Sequence, residues 1–119
     1  NKRIELANIY RKELKDTSLQ LPIENRDCKH VYHLFTVYHP KRKLITDFLK
    51  KNNIQTRIIY EYPIQVMKPY KKICMNNDLK NSLEKSKGIF CLPLYPEIKR
   101  SDIRYICKKI KDCLSLHNI

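Results

Sequence analysis

A chain of 119 residues can form one domain with its own core, but it is short for a complete cofactor-dependent transferase. Its 25 Lys and Arg against 12 Asp and Glu give a formal net charge of +13, so nucleic acid, a membrane surface and a phosphorylated substrate are all candidate partners. The single glycine excludes a Walker loop and a dinucleotide fingerprint, because both need several glycines for close backbone approach to phosphate.

The cysteines and the hydropathy pattern predict the compartment. The five cysteines are odd in number and form no Cys-x-x-Cys pair, which argues against a disulfide framework and a zinc knuckle. We find no run of 18 apolar residues and no secretory signal. The sequence therefore predicts a cytoplasmic protein without a membrane span.

The first half of the chain predicts a helix, a strand and a second helix. Apolar residues three and four apart predict an amphipathic helix over residues 2 to 15, and a short extended piece follows at residues 19 to 21. Residues 30 to 38 are rich in β-branched and aromatic side chains, which predicts a strand. One face of this strand would carry Val31, His33, Phe35 and Val37. Four apolar residues then predict a helix that ends near Asn52 and Asn53: Leu44, Ile45, Phe48 and Leu49.

The next stretch predicts a second strand, a loop and a third helix. Alternating apolar residues predict a strand over residues 54 to 60. Pro63 and Pro69 then break the chain into a loop with room for one helical turn. A helix is predicted over residues 78 to 87, with Gly88 as the left-handed residue that ends it.

The last third joins a proline segment to a final helix. Residues 92 to 96 read Leu-Pro-Leu-Tyr-Pro and should be extended, because proline fixes φ and removes a backbone donor. Ser101 is placed to cap the final helix, with Asp102 in its first turn. The buried face of this helix would carry Ile103, Ile106, Cys107, Ile110, Cys113 and Leu114. The order of elements predicts an α+β fold, a two-layer arrangement of a small sheet flanked by helices.

Few residues stand out as carriers of chemistry. His30 and His33 point to opposite faces of the predicted strand, so the sequence predicts no metal site. His33 is either a hydrogen-bonded, partly buried histidine or a reactive one. No nucleophile elbow and no marked nucleophilic cysteine occurs, so we predict no catalytic residue. The charge and eight tyrosines leave a small basic nucleic-acid-binding module as an alternative, although no recognition motif supports it and nucleic acid is the less favoured partner.

Read in order, several segments resemble the last third of the DegT/DnrJ/StrS-type sugar aminotransferases. Residues 9 to 14 resemble the helix that enters the small domain of that family, and residues 32 to 35 match its Tyr-His-Leu-Phe strand. Residues 44 to 57 match the following helix, turn and strand, with Asn53 where the family often has glycine. The Leu-Pro-Leu-Tyr-Pro segment at residues 92 to 96 closes the series.

The resemblance implies a single small domain over residues 1 to 119, similar to the C-terminal domain of fold-type I aminotransferases. Pyridoxal phosphate is then the cofactor of the parent enzyme, a transaminase whose Schiff-base lysine belongs to a large domain that has no counterpart in this sequence. We expect no cofactor bound by this chain alone and no turnover by it. The expected partners are a nucleotide-sugar substrate and the large domain, and uncovered surface makes a homo-oligomer an expectation.

The same resemblance implies the substrate-binding residues. A His-Tyr pair of the family near the nucleotide-sugar corresponds to Ile59 and Tyr60, and a later histidine corresponds to Gln65. Tyr60, Arg57, Gln65 and His33 are therefore the predicted substrate-binding residues. Since Ile59 cannot hydrogen-bond through its side chain and Gln65 lacks the titratable charge of histidine, a non-catalytic regulatory or structural remnant is a further alternative.

Overall fold

The structure is a computed structural model that describes residues 1–73 and 79–119, so the predicted helix start at Asp78 lies outside the described residues. The two strands form an antiparallel sheet, and the helices pack around it, which confirms the predicted α+β fold. In chain order the elements are α1 (Lys2–Leu14), β1 (Phe35–Tyr38), α2 (Arg42–Lys51), a 3-10 turn (Ile64–Val66), α3 (Lys80–Gly88), β2 (Ile89–Leu92) and α4 (Arg100–Leu116).

The predicted buried face of the last helix is confirmed, and the amphipathic helix predicted at the start of the chain is present as α1. All six apolar residues predicted on one face of α4 are buried, and so are Ala7, Tyr10 and Leu14 of α1. Two ion pairs join the helices on their exposed side, Glu5 to Arg100 at 3.5 Å and Glu13 to Lys111 at 3.0 Å. The paired residues follow the same order along both helices, so α1 and α4 run in parallel. Among the described residues, no helix combines the length and apolarity needed to cross a membrane.

The sheet differs from the predicted one in both strands. The first strand begins at Phe35 and not at residue 30, because Tyr32 has a φ of 49° that interrupts the extended backbone. Val31 and His33 are therefore exposed, and the prediction that they share the buried face of Phe35 and Val37 is wrong.

The predicted second strand at residues 54 to 60 is also wrong. Only Arg57 pairs there, through an isolated bridge to Cys91, and β2 is the partner of β1, with Phe35 opposite Leu92. The alternating pattern does not correspond to a buried face, since Ile58 is 37% and Tyr60 72% exposed. The short extended piece at residues 19 to 21 is confirmed by a bridge from Gln20 to Tyr38 on the other side of the sheet.

Two predicted helix ends are wrong. α4 begins at Arg100, its N-cap is Lys99 without a side-chain cap, and Ser101 lies inside the first turn. The amide of Ile98 donates to the carbonyl of Tyr95 and closes a turn just before the helix. The helical backbone therefore begins at Arg100, one residue before Ser101. Gly88 ends α3 without a positive φ. Its lack of a side chain serves close packing instead, because a Cβ there would lie 2.7 Å from a ring carbon of Tyr38.

Candidate functional site

A groove of about 770 Å³ opens between three separate parts of the chain. The turn after α2 forms one wall, the first half of α4 forms another, and the proline segment after β2 lies between them. Arg57 is the one predicted substrate-binding residue that lines it; Tyr60, Gln65 and His33 do not.

Arg57 is held at the groove by its backbone. Its amide donates to the carbonyl of Cys91 at 3.2 Å, and the Cys91 amide donates to the carbonyl of Arg57 at 2.7 Å. The guanidinium has no hydrogen-bond or ion-pair partner in the part of the chain that the structure describes. Arg57 therefore offers an uncommitted, exposed cation at the edge of the sheet.

Tyr60 and Gln65 lie on a loop with an unusual share of exposed apolar surface. We name this surface the loop strip; its residues are Ile58, Tyr60, Tyr62, Ile64, Val66, Tyr70 and Ile73. The side-chain Nε2 of Gln65 donates to the carbonyl of Leu79 at 3.5 Å, which brings the loop to the start of α3. Seven exposed apolar residues within one segment of 16 are more than single scattered surface positions, and such an accumulation is typical of an interaction site.

The loop strip begins next to the groove residue Arg57, and the chain then leads away from the groove. Because Arg57 pairs antiparallel with Cys91, the chain after Arg57 runs toward the start of β2. Arg42 confirms this direction, since it lies 3.8 Å from the Glu61 carboxylate and donates to the carbonyl of Ser86 at 2.6 Å. The groove instead contacts the end of β2 and the residues after it.

His33 lies outside both the groove and the loop strip, and its side chain is exposed. The prediction that its side chain is partly buried is wrong, because the residue precedes β1 and is exposed. Its carbonyl accepts a hydrogen bond from Arg3 at 3.0 Å, and the same guanidinium nitrogen donates to the carbonyl of Leu94 at 3.0 Å. Arg3 thus ties the approach to β1 to the proline segment.

Sequence reasoning missed the role of Tyr10. This residue is fully buried, its ring stacks on Phe35 at 4.8 Å, and its hydroxyl donates to the carbonyl of Pro93 at 2.9 Å. Burial, with smaller contributions from Cys107 and Tyr95, raises the pKa of the Tyr10 phenol, which keeps it protonated as a donor. The signal in the sequence was a tyrosine on the apolar face of an amphipathic helix.

The described cysteines include two that are buried in α4. Cys107 and Cys113 are buried as predicted, and burial raises the pKa of the Cys107 thiol to about 12. No cluster of three metal-ligating side chains occurs within residues 1–73 and 79–119. Cys74 lies outside the described residues.

Comparison with known proteins shows which family this chain resembles over most of its length. The DegT/DnrJ/EryC1/StrS aminotransferase family model matches residues 1–111. A pleiotropic regulatory protein from Geobacillus stearothermophilus is 30% identical over 84 residues, which cover 70% of this chain and 23% of that protein. A dTDP-3-amino-3,6-dideoxy-alpha-D-galactopyranose transaminase from Aneurinibacillus thermoaerophilus is 28% identical over 109 residues, which cover 92% of this chain and 30% of the relative. This chain thus spans under a third of either relative.

The fold agrees with that match. S. venezuelae DesV, solved in complex with a ketimine intermediate, superimposes with a TM-score of 0.88 at 23% identity, over 93% of this chain and 30% of DesV. Since the family model covers all but the last turns of α4, the chain belongs to the DegT/DnrJ/EryC1/StrS aminotransferase family.

Proposed function

We propose that this chain is the C-terminal small domain of a pyridoxal-phosphate-dependent nucleotide-sugar aminotransferase. It covers the active site and contributes part of the substrate wall, while the large domain holds the cofactor. The observation that carries the proposal is the family match over residues 1–111 in a chain that spans 30% of its transaminase relative. The rest of that relative is long enough to contain a separate cofactor domain.

The groove does not fit the cofactor itself. Covalent attachment of pyridoxal phosphate needs a lysine amine held inside a pocket. The groove of about 770 Å³ has no lysine in its described lining. We therefore assign no step of the cofactor chemistry to this chain and place that chemistry in the large domain.

The loop strip supports the covering role. It exposes apolar side chains that water solvates poorly, and a large domain packed against it would bury them. Tyr60, 72% exposed on this strip, presents a hydroxyl that can hydrogen-bond to a sugar or a diphosphate. Gln65 shares the loop, whereas Arg57 lies at the groove, so the geometry favours Tyr60 and Gln65 over Arg57 as parts of one substrate wall.

A regulatory role without catalysis is the second candidate. It is favoured by Ile59, whose side chain offers no hydrogen bond where the family resemblance implies histidine, and by the relative named as a regulatory protein. The two candidates differ in whether the complete protein turns over a nucleotide-sugar.

The test uses the complete protein encoded by the reading frame that contains residues 1–119. We expect it to transfer an amino group to a dTDP-linked keto-sugar. In that protein Tyr60→Phe should raise KM for the nucleotide-sugar about two- to tenfold with kcat little changed, since one hydrogen bond is lost. Tyr62→Phe, a neighbour on the same strip, is the control and should leave KM unchanged. A reading frame without a cofactor domain, or a complete protein without turnover, would refute the proposal in favour of the regulatory role.

A further inference from the structure

The groove takes no part in the proposed substrate wall, yet it has the features of a ligand site. Its volume of about 770 Å³ falls within the usual range for small-molecule pockets, roughly 300 to 1,000 Å³. Its floor is apolar, with Leu92, Ile98 and Ile106 buried beneath it. Polar side chains from three segments surround this floor.

These polar side chains are largely uncommitted. Apart from Ser101, which lies 3.4 Å from the Asp102 carboxylate, no described residue hydrogen-bonds the side chains of Arg57, Asn53, Gln55 or Asp102. Tyr105 and Asp102 stand three residues apart on α4 and so share one face. Tyr95 and Tyr105 are 48% and 47% exposed, and the Nζ atom of Lys109 lies 5.6 Å from the ring centroid of Tyr105.

The backbone around the groove, in contrast, is already hydrogen-bonded. The amide and carbonyl of Cys91 pair with Arg57, and Pro93 has no amide to donate. The carbonyls of Pro93 and Leu94 accept from Tyr10 and Arg3. An extended peptide would find few main-chain partners here, so the groove favours a small molecule over a peptide strand.

We infer that this groove is a binding site for a small molecule that joins a planar ring to one anionic group. The planar fork of Arg57 suits a phosphate or a carboxylate. Tyr95 offers an exposed ring for stacking, Tyr105 offers the ring face that Lys109 does not cover, and Asn53 with Gln55 can hydrogen-bond the edge of the ligand ring. A nucleoside monophosphate and an aromatic carboxylate share this chemistry.

The ligand class can be tested by NMR titration of the isotope-labelled 119-residue chain. The probes are uridine monophosphate and 4-hydroxyphenylacetate; uridine and inorganic phosphate are the controls that each lack one half of the chemistry. We expect at least one probe to shift the amides of residues 53 to 57 and 102 to 106, with each control at least tenfold weaker. The stronger probe identifies phosphate or carboxylate as the anion. Shifts spread over the whole basic surface, or none, would overturn the inference.

Arg57 provides the residue-level test. Arg57→Gln should weaken binding of the better probe about tenfold or more, because a charge-assisted hydrogen bond is lost, and Arg57→Lys should restore part of it. Arg26→Gln removes a charge from an exposed site outside the groove and should leave binding unchanged. Equal weakening by both glutamine variants would show a charge effect alone and contradict the site.

Discussion

Two residues of α1 hold the segment that carries the family resemblance. Tyr10 donates to the carbonyl of Pro93 at 2.9 Å, and Arg3 donates to that of Leu94 at 3.0 Å. Both acceptors lie in a stretch where proline has removed backbone donors, so side chains replace the ladder hydrogen bonds of a regular strand. The shape of the proline segment therefore depends on a helix that is more than 80 residues away in sequence.

Tyr10→Phe tests this dependence. The substitution keeps the stacked ring but leaves the Pro93 carbonyl without its donor, so we expect a loss of about 1 kcal/mol in the free energy of unfolding. Urea denaturation measures it. Tyr62→Phe, which alters an exposed hydroxyl, is the matched control and should change stability by less than about 0.5 kcal/mol. Equal stability of the two variants would show that the Tyr10 hydroxyl contributes nothing.

His39 is a buried histidine that the sequence did not single out. Its Nδ1 accepts the backbone N–H of Lys41 at 3.0 Å, and its Nε2 lies 3.2 Å from the hydroxyl of Ser18. Burial first, and then the nearby charge of Lys41, lower the pKa of His39. Protonation would also place a proton on the nitrogen that accepts the Lys41 hydrogen bond.

The sign of the pH dependence follows from that lowered pKa. The unfolded chain binds the proton more readily than the folded one, so stability is full above the ordinary histidine pKa of about 6.5 and falls as the pH drops through it. We expect the urea midpoint to decline between about pH 7.5 and 5.5. His39→Asn keeps an acceptor for Lys41 and cannot titrate, so its decline should be smaller. The same decline in both proteins would exclude His39 as the cause.

At the level of elements, the junction of α3 and β2 depends on a single missing side chain. Gly88 packs so closely that a Cβ would lie 2.7 Å from a ring carbon of Tyr38 and 2.8 Å from the carbonyl of His39. The Gly88 carbonyl also accepts the His39 amide at 3.0 Å. The end of β1 and the start of β2 are thus held together by close backbone approach.

Gly88→Ala should therefore destabilise the protein by about 1 to 3 kcal/mol, because the added methyl group overpacks the junction. This is opposite in sign to the usual effect of alanine in a helix, where it is favoured over glycine. Thermal unfolding of the variant beside Lys87→Ala, an exposed neighbour in α3, measures the difference. A Gly88→Ala protein as stable as Lys87→Ala would contradict the close packing.

Helices could be predicted from sequence because their signal is local. The spacing of Ile103, Ile106 and Ile110 alone defines the buried face of α4. β2 could not be predicted in this way: four apolar residues before a proline fit a buried strand or a buried helix end equally well. The left-handed φ of Tyr32 was also not predicted: its amide donates to Nδ1 of His30 at 2.9 Å, and its ring is buried by residues distant in sequence, such as Phe35 of β1 and Arg11 of α1.

The candidate site likewise could not be predicted from local sequence patterns. The resemblance named Arg57 and Tyr60 together, three residues apart in sequence. The antiparallel bridge from Arg57 to Cys91, together with the contacts of Arg42 to Glu61 and Ser86, shows that the chain leads away from the groove after Arg57. The groove itself combines three segments that are distant in sequence, so no local pattern could have identified it.

At the scale of the whole molecule, the chain belongs to the aminotransferase family but matches only part of the length of its relatives. It matches the family model over residues 1–111 and spans 30% of its transaminase relative. The loop strip leaves an apolar surface at one end of the sheet, and self-association of the chain alone remains a prediction from that exposure. The net charge of +13 spreads over many exposed lysines and identifies no partner by itself.

The central claim is that this domain covers a cofactor site that another domain holds. Its most direct measurement is borohydride trapping of pyridoxal phosphate on lysine, followed by peptide mapping, in the complete protein and in the 119-residue chain alone. The account predicts a single trapped lysine outside residues 1–119 in the complete protein, and none in the isolated chain. A trapped lysine within residues 1–119, together with turnover of a nucleotide-sugar by the isolated chain, would contradict it.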